Sequence, residues 1–185
     1  MKQPLKLANS VLMPFTVTDD SGFLAIIDPD AYRGFVHAKW TWKTIWPRTT
    51  RSIQDHFRRE MREWHVLIWG TGMEHVWRID VSFTPTKVAR FREVTGSIIA
   101  SQGRLLLANY ESLTMAAQFR DVLLPQAHER EQVLSVQPGL YDCRIIQSSD
   151  PKSDAGFEEP VNFIYEFTRA TSPREAWSVL PWTAA

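Results

Sequence analysis

The sequence predicts an α+β fold dominated by antiparallel strands, in which two sheets form a β-sandwich with one main amphipathic helix and short accessory helices. Short apolar or alternating segments recur along the chain and are separated by turn residues, a pattern typical of successive antiparallel strands. Eight or nine strands are more than one twisted sheet comfortably holds beside so few helices, so a second sheet is expected. No long linker divides the chain, and residues 1–185 are predicted to be a single domain.

The first predicted elements are a hairpin and a short helix. Residues 12–18 and 23–27 have the pattern of two strands around a turn at 19–22. Asp28 followed by Pro29 is typical of a helix start, with a capping carboxylate and proline at the first helical position. The apolar side chains that follow at helical spacing are Tyr32, Phe35, Val36 and Trp40.

The clearest helical pattern begins at Ser52, which together with Asp55 resembles a capping box with Asp in place of Glu or Gln. Apolar residues then recur with helical spacing, and the arginines lie on the opposite face, so an amphipathic helix is predicted. The apolar positions are Ile53, Phe57, Met61 and Trp64.

A second hairpin is predicted around the connection at 70–75. Residues 64–69 are apolar on both faces, as in a central buried strand, whereas residues 77–83 alternate and leave one face in solvent. Gly70-Thr71-Gly72 lacks the lysine and the following helix of a phosphate loop, so we predict a turn that needs positive φ. A short helix from Thr84-Pro85 is expected to carry Val88 and Phe91.

The second half of the chain continues the same pattern. Two more hairpins, an ambiguous helical stretch, a surface loop, a strong strand and a terminal helical turn are predicted. The hairpins are 96–100 with 104–109 and 133–136 with 140–147. One or two helical turns are expected within 111–124, with an extended end at 122–124. The loop is 148–160, the strand is 161–168, and the terminal turn lies around Trp177.

The charges are balanced overall but unevenly placed. The chain has 21 basic and 21 acidic residues, so the whole protein is not a nonspecific polyanion binder. Residues 33–62 hold eight basic and two acidic residues, whereas 142–166 hold six acidic and two basic residues. Solvated surface explains such clusters most often, although a charged partner would use them too.

The single cysteine, Cys143, excludes an intramolecular disulfide and indicates a reducing compartment. It lies on the apolar face of a predicted strand, where we expect a buried and inert thiol. The N-terminus lacks the apolar core of a signal peptide, and no stretch has the length of a membrane span. A cytoplasmic protein that contacts no membrane is the expectation.

Candidate catalytic and metal-ligating residues are sparse. The best local cluster is Glu74-His75 with Asp80 nearby, and we expect these to be ordinary surface residues. No nucleophile elbow is present, and no metal or cofactor is expected. The tract 39–51 mixes three tryptophans with basic residues. Core packing is the first interpretation of this tract, a protein interface the second and nucleic-acid binding a distant third.

One part of the sequence has a family resemblance. The segments Gly103-Arg104-Leu105-Leu106-Leu107 and Gln137-Pro138-Gly139-Leu140-Tyr141-Asp142-Cys143-Arg144 resemble a pattern of small bacterial β-sandwich proteins. These include the competence nuclease-inhibitor family and related immunity-type proteins. The resemblance covers about a quarter of the chain and implies a binding protein that neutralises a toxic enzyme. It assigns no functional residues.

These observations favour a binding role over an enzyme. The most specific hypothesis is an immunity or inhibitor protein that neutralises a bacterial toxin or nuclease by direct contact. The alternative is a small-molecule-binding or hydrolytic enzyme whose site is assembled across the sandwich. Two surfaces are predicted to bind the partner, with the acidic one preferred because it can be exposed without cost to the core. They are the acidic loop with Asp150, Asp154, Glu158 and Glu159, and the basic-aromatic stretch with Trp42, Lys43 and Arg48.

Overall fold

The computed structural model describes residues 12–36, 51–153 and 160–183, and of residues 51–54 it describes the backbone alone. Within these ranges the chain forms nine strands, two α-helices and a short 3-10 helix. The elements are β1 (Met13–Asp19), β2 (Phe23–Ile27), α1 (Arg51–Arg62), β3 (Val66–Gly70), β4 (His75–Ser82), β5 (Arg92–Ala100), β6 (Arg104–Asn109), α2 (Tyr110–Gln118), the 3-10 helix Ala127–Gln132, β7 (Val133–Ser135), β8 (Gly139–Gln147) and β9 (Phe163–Arg169).

The strands form the two sheets that the sequence predicts. Five strands form the first sheet in the order β1-β4-β9-β8-β5, and four form the second in the order β3-β2-β6-β7. All pairs are antiparallel except β4 with β9, which is parallel. The α+β class with a two-sheet sandwich is therefore confirmed, although the first sheet is mixed.

The four predicted hairpins are wrong, because each tight turn carries the chain from one sheet to the other. Strands β1 and β2, β3 and β4, β5 and β6, and β7 and β8 follow one another closely in sequence but lie in different sheets. Each of these strands pairs instead with a strand that is more distant in sequence than its neighbour across the turn, as β5 does with β8. An alternating strand pattern with a short turn is the same for a hairpin and for a corner between packed sheets, so the sequence does not separate them.

The main core lies between the sheets and is rich in aromatic side chains. The Trp69 ring meets the Tyr165 ring edge-on at 5.4 Å, and Trp77 meets Phe163 in the same way at 5.2 Å. Such edge-to-face pairs add to the free energy of area burial. Cys143 lies in this core with no exposed surface, as the sequence predicts.

A second core lies between the four-stranded sheet and the two helices. Phe57 and Met61 of α1 pack with Leu113 and Ala117 of α2 on this face, which confirms the amphipathic pattern. Two details differ from the prediction. The helix begins at Arg51, so Ser52 lies inside it and does not precede it. It ends before Trp64, which is half-buried with φ 56°, so the chain turns away before the tryptophan completes the apolar stripe.

Within the described residues, the predicted helix after Asp28 is reduced to a single turn. The Asp28 carbonyl accepts hydrogen bonds from the amides of Ala31 and Tyr32. Its buried carboxylate accepts from the amides of Asp30 and Ser101. Trp40 lies outside the described residues.

Two other predicted helical segments have no regular secondary structure, and distant groups bind both of them. Near 84–91, the Thr86 amide donates to Glu166 at 2.8 Å, and the Phe91 amide donates to the Gln147 carbonyl. No helical turn surrounds Trp177 either, and its indole donates to the Thr95 carbonyl at 3.0 Å. The stretch 111–124 does contain a helix, α2, which ends at Gln118.

Residues 174–183, which we call the C-terminal strap, cover the seam where edge strands β3 and β5 meet. The Arg174 amide donates to the Ser97 hydroxyl at 2.8 Å, and the Gly70 amide donates to the Pro181 carbonyl at 2.9 Å. The Trp177 ring packs so closely on Gly96 that a Cβ atom there would lie 2.7 Å from it. The strap thus protects two strand edges.

Within the described part of the chain, no helix is both long and apolar enough to span a bilayer.

Replacing Phe57 with alanine should lower the free energy of unfolding by about 3–5 kcal/mol, because the side chain is 4% exposed and its removal leaves a cavity under α1. Chemical denaturation measures the change. Arg62→Ala on the exposed face of the same helix is the control and should change the stability by less than about 0.5 kcal/mol. A loss below about 1 kcal/mol for Phe57→Ala would contradict the packing of α1 on the sheet.

Candidate functional site

An open cleft of about 940 Å³ lies at the end of the sandwich where the turns at 19–23 and 70–75 meet. It combines apolar walls with charged groups. The lining residues are Ser21, Gly22, Phe23, Gly70, Gly72, Met73, Glu74, Phe91, Arg92, Asp150, Pro151, Lys152, Trp182 and Thr183. They come from five separate segments of the sequence, so the cleft exists only in the folded chain.

A buried carboxylate holds the floor of the cleft in place. Asp19 is 2% exposed and accepts hydrogen bonds from the amides of Ser21 and Phe23 at 3.0 and 3.1 Å. It also accepts from the Thr71 hydroxyl at 2.9 Å and the Trp77 indole at 3.1 Å. Burial raises the pKa of Asp19 above its ordinary value, although the four hydrogen bonds oppose this. The carboxylate joins the two turns that line the cleft.

Arg92 is the most firmly held charged side chain of the lining. Its Nε donates to the Gln147 Oε1 at 2.6 Å, and its Nη2 donates to the carbonyls of residues 70 and 71 at 3.3 and 2.8 Å. The guanidinium also lies 4.5 Å from the Trp182 ring centroid and 5.5 Å from that of Phe91. Burial lowers the pKa of Arg92, and the nearby Asp150 charge opposes this shift.

Asp150 reaches the cleft because the next residue docks on the turn at 70–75. Pro151 is buried, and a Cβ atom at Gly72 would lie 3.2 Å from its ring. Gly72 also has φ 96°, so glycine is needed there for both reasons and the predicted positive φ is confirmed. The Asp150 carboxylate accepts the amide of Lys152 at 3.0 Å, and its carbonyl accepts the amide of Ser153.

Asp150 is the one predicted partner-binding residue that the structure describes, and it lies in the cleft. The others lie outside the described residues. They are Asp154, Glu158, Glu159, Trp42, Lys43 and Arg48. Sequence reasoning missed Arg92 and Trp182, because no local motif marks either. The local sequence signals near the cleft are the glycine-rich turn at 70–72 and the acidic loop that contains Asp150.

Of the candidate metal ligands, Glu74 lies just before β4, and His75 and Asp80 lie within it. The His75 ring packs edge-on against Trp77 at 5.0 Å. In residues 12–36, 51–153 and 160–183, no three side chains of His, Cys, Asp or Glu converge as metal ligands would.

A second polar cluster joins α1 to the segment before it. Arg59 donates from Nη2 to His56 Nδ1 at 2.9 Å, so the other ring nitrogen carries the proton and faces the Tyr32 hydroxyl at 3.2 Å. Glu60, 2% exposed, lies within hydrogen-bond distance of His65 Nδ1 at 3.1 Å. Both nitrogens of His56 are engaged, so its role here is to position the helix.

Comparisons with known proteins agree with this fold. No protein-family model and no curated protein matches the chain. Similar solved structures include "Crocagin biosynthetic gene J", which is 14% identical, covers 88% of this chain and 99% of its own, and has a TM-score of 0.55. They also include ComJ from Bacillus subtilis, an inhibitor of the DNA degrading activity of NucA, at 7% identity, 88% and 100% coverage and a TM-score of 0.48.

At these identities the similarity concerns the fold alone. ComJ is a nuclease inhibitor, which is the type of protein that the segments 103–107 and 137–144 resemble.

Cys143 should react slowly with thiol reagents in the native state. The thiol has no exposed surface, and burial raises its pKa well above the ordinary value, so little thiolate forms. Labelling by an aromatic disulfide reagent, followed by absorbance, measures the rate. The same protein in denaturant gives the reference rate. Comparable rates in both conditions would mean that the thiol is accessible.

His56 should make the protein less stable in mild acid. Burial lowers the pKa of His56 from 6.5 to about 4, with the Glu60 charge opposing and Arg59 adding to the shift. The unfolded chain therefore takes up a proton below about pH 6.5 that the folded chain refuses until about pH 4. This group should remove about 3 kcal/mol of stability across that interval and leave stability above it unchanged.

NMR of the His56 ring and urea denaturation at each pH test this prediction. The ring should stay neutral down to about pH 4, and His56→Gln should flatten the acidic limb of the stability profile. Titration of the native ring at its ordinary value would contradict the burial of the neutral form.

Proposed function

We propose that this protein is a binding protein that inhibits a partner, such as a bacterial toxin or nuclease, by direct contact. The contact surface would be the rim of the cleft together with the acidic segment that follows Asp150. The observation that carries the proposal is the position of Asp150 on a cleft that also contains exposed Glu74 and aromatic Trp182.

The chemistry of this rim suits a protein interface. A few residues supply most of the binding energy at such surfaces, often Trp, Tyr or Arg, and charged groups around them set the orientation and the association rate. Trp182 and Phe91 provide the aromatic area, while Glu74, Asp150 and Lys152 provide the charged rim. The acidic residues Asp154, Glu158 and Glu159 follow Asp150 closely in sequence. A basic surface on the partner, as in an enzyme that handles nucleic acid, would complement them.

A second candidate function is the binding or hydrolysis of a small molecule in the cleft. The observation that favours it is the volume of about 940 Å³, which is within the range of small-molecule sites.

Reversing Glu158 and Glu159 to lysine should weaken partner binding by about tenfold or more, because two attractive charges become repulsive. The partner is captured from the source organism with the immobilised full-length chain, identified and purified. Isothermal titration calorimetry then gives the affinity, and the enzymatic activity of the partner is assayed with and without this protein. The melting temperature should be nearly unchanged.

The control variant is Glu131→Lys with Glu175→Lys, since both side chains are exposed and neither lines the cleft. It makes the same change of net charge and should leave the affinity close to that of the wild type. Equal affinity of the Glu158 and Glu159 variant would remove the acidic segment from the interface. A partner that binds and keeps its full activity would contradict inhibition.

A further inference from the structure

Within the part of the chain that the structure describes, Arg92 forms no ion pair. Its hydrogen-bond acceptors are one side-chain amide and two backbone carbonyls, all of them neutral. Among the residues that the structure describes, no carboxylate oxygen lies within 4.0 Å of its nitrogens, although the Asp150 charge is near enough to oppose the lowering of the Arg92 pKa by burial. By contrast, Arg104, Arg144 and Arg174 each form an ion pair with a carboxylate. A half-buried charge without a counterion attracts one from solution.

The guanidinium is also fixed in the way that an anion site requires. Nε and Nη2 donate to internal acceptors, and Cζ lies over the Trp182 ring, 4.5 Å from its centroid. In the described ranges, Nη1 has no hydrogen-bond acceptor. Because the internal contacts already order the side chain, a ligand that binds Nη1 loses little additional conformational entropy.

The rest of the lining selects the kind of anion. Phe23, Met73, Phe91 and Trp182 offer apolar surface beside the charge. Apart from Arg92, the charged lining residues are Asp150, Glu74 and Lys152, so the carboxylates outnumber the ammonium group and disfavour a second negative charge on the ligand. A single negative charge attached to an apolar body fits both conditions, and a planar carboxylate suits hydrogen bonding to a guanidinium.

We propose that the cleft binds a monocarboxylate with an apolar or aromatic body, and that Arg92 is the residue that holds the carboxylate. The inference goes beyond the proposed inhibition, because its test needs no partner protein. Loss of partner binding in the Glu158 and Glu159 variant would neither support nor contradict it. The carboxylate belongs either to a free small acid or to the C-terminus of a peptide.

The decisive comparison is between phenylacetate and its neutral analogue phenylacetamide. Two-dimensional NMR of the full-length chain follows the Arg92 Nε–H and the Gly72 amide during titration with each compound. Phenylacetate should saturate and shift both resonances, and phenylacetamide should bind about tenfold or more weakly, because it cannot neutralise the guanidinium. Equal binding of the two compounds, or no saturation by phenylacetate, would overturn the proposal.

Phenyl phosphate tests the preference for a single charge. It should bind more weakly than phenylacetate at pH 8, and tighter binding would contradict the assignment of a monocarboxylate. Acetyl-glycyl-phenylalanine, with a free C-terminus, separates the two sources. Tighter binding than phenylacetate assigns the site to peptide C-termini, and weaker binding assigns it to small acids.

Two variants test whether phenylacetate binds beside Arg92 while leaving the Arg92 side chain in place. Asp150→Asn should tighten phenylacetate binding by about threefold, because it removes a nearby negative charge. Arg169→Gln is the matched control. Arg169 likewise donates to a side-chain amide and a carbonyl and lies 5.6 Å from the Tyr141 ring, but it is exposed on another part of the surface. Weaker phenylacetate binding in Arg169→Gln, or in Asp150→Asn, would overturn the assignment to Arg92.

Discussion

The hydrogen bond between the Thr71 hydroxyl and the Asp19 carboxylate joins two turns that each carry the chain between the sheets. Asp19 binds the amides of the first turn, and the Thr71 amide donates to the Gly22 carbonyl, so the turns are held on both sides. The Thr71 carbonyl also accepts from Arg92 and Gln147. The position of Arg92, and with it the shape of the cleft, therefore depends on this contact.

A sandwich whose turns switch sheets leaves backbone amides that no ladder satisfies, and buried carboxylates accept several of them. Asp19 accepts from the amide of Phe23, and Asp28 accepts from the amide of Ser101. Each of these carboxylates is at most 2% exposed. Desolvation of a carboxylate is costly, and hydrogen bonds from fixed amides offset that cost. These two buried aspartates thus belong to the architecture of the turns.

The sequence predicted the two sheets, most strands and the main helix, because apolar periodicity reports which side chains face a core. It did not predict which strands pair, since residues 13–19 and 23–27 have the same pattern whether they form a hairpin or a corner. Among the described residues that line the cleft, Asp150 is the one that the sequence predicted as a partner-binding residue. Arg92 and Trp182 are 90 positions apart in sequence, and only the strap on the β3 edge brings them together.

A double-mutant cycle on Asp19→Asn and Thr71→Val tests most directly whether this contact organises the cleft. Urea denaturation of the wild type, both single variants and the double variant gives the coupling energy. We expect a coupling of about 1 kcal/mol or more, together with a shift of the Arg92 Nε–H resonance in each single variant. Changes that add within about 0.3 kcal/mol, with an unmoved Arg92 resonance, would contradict the central role of the pair.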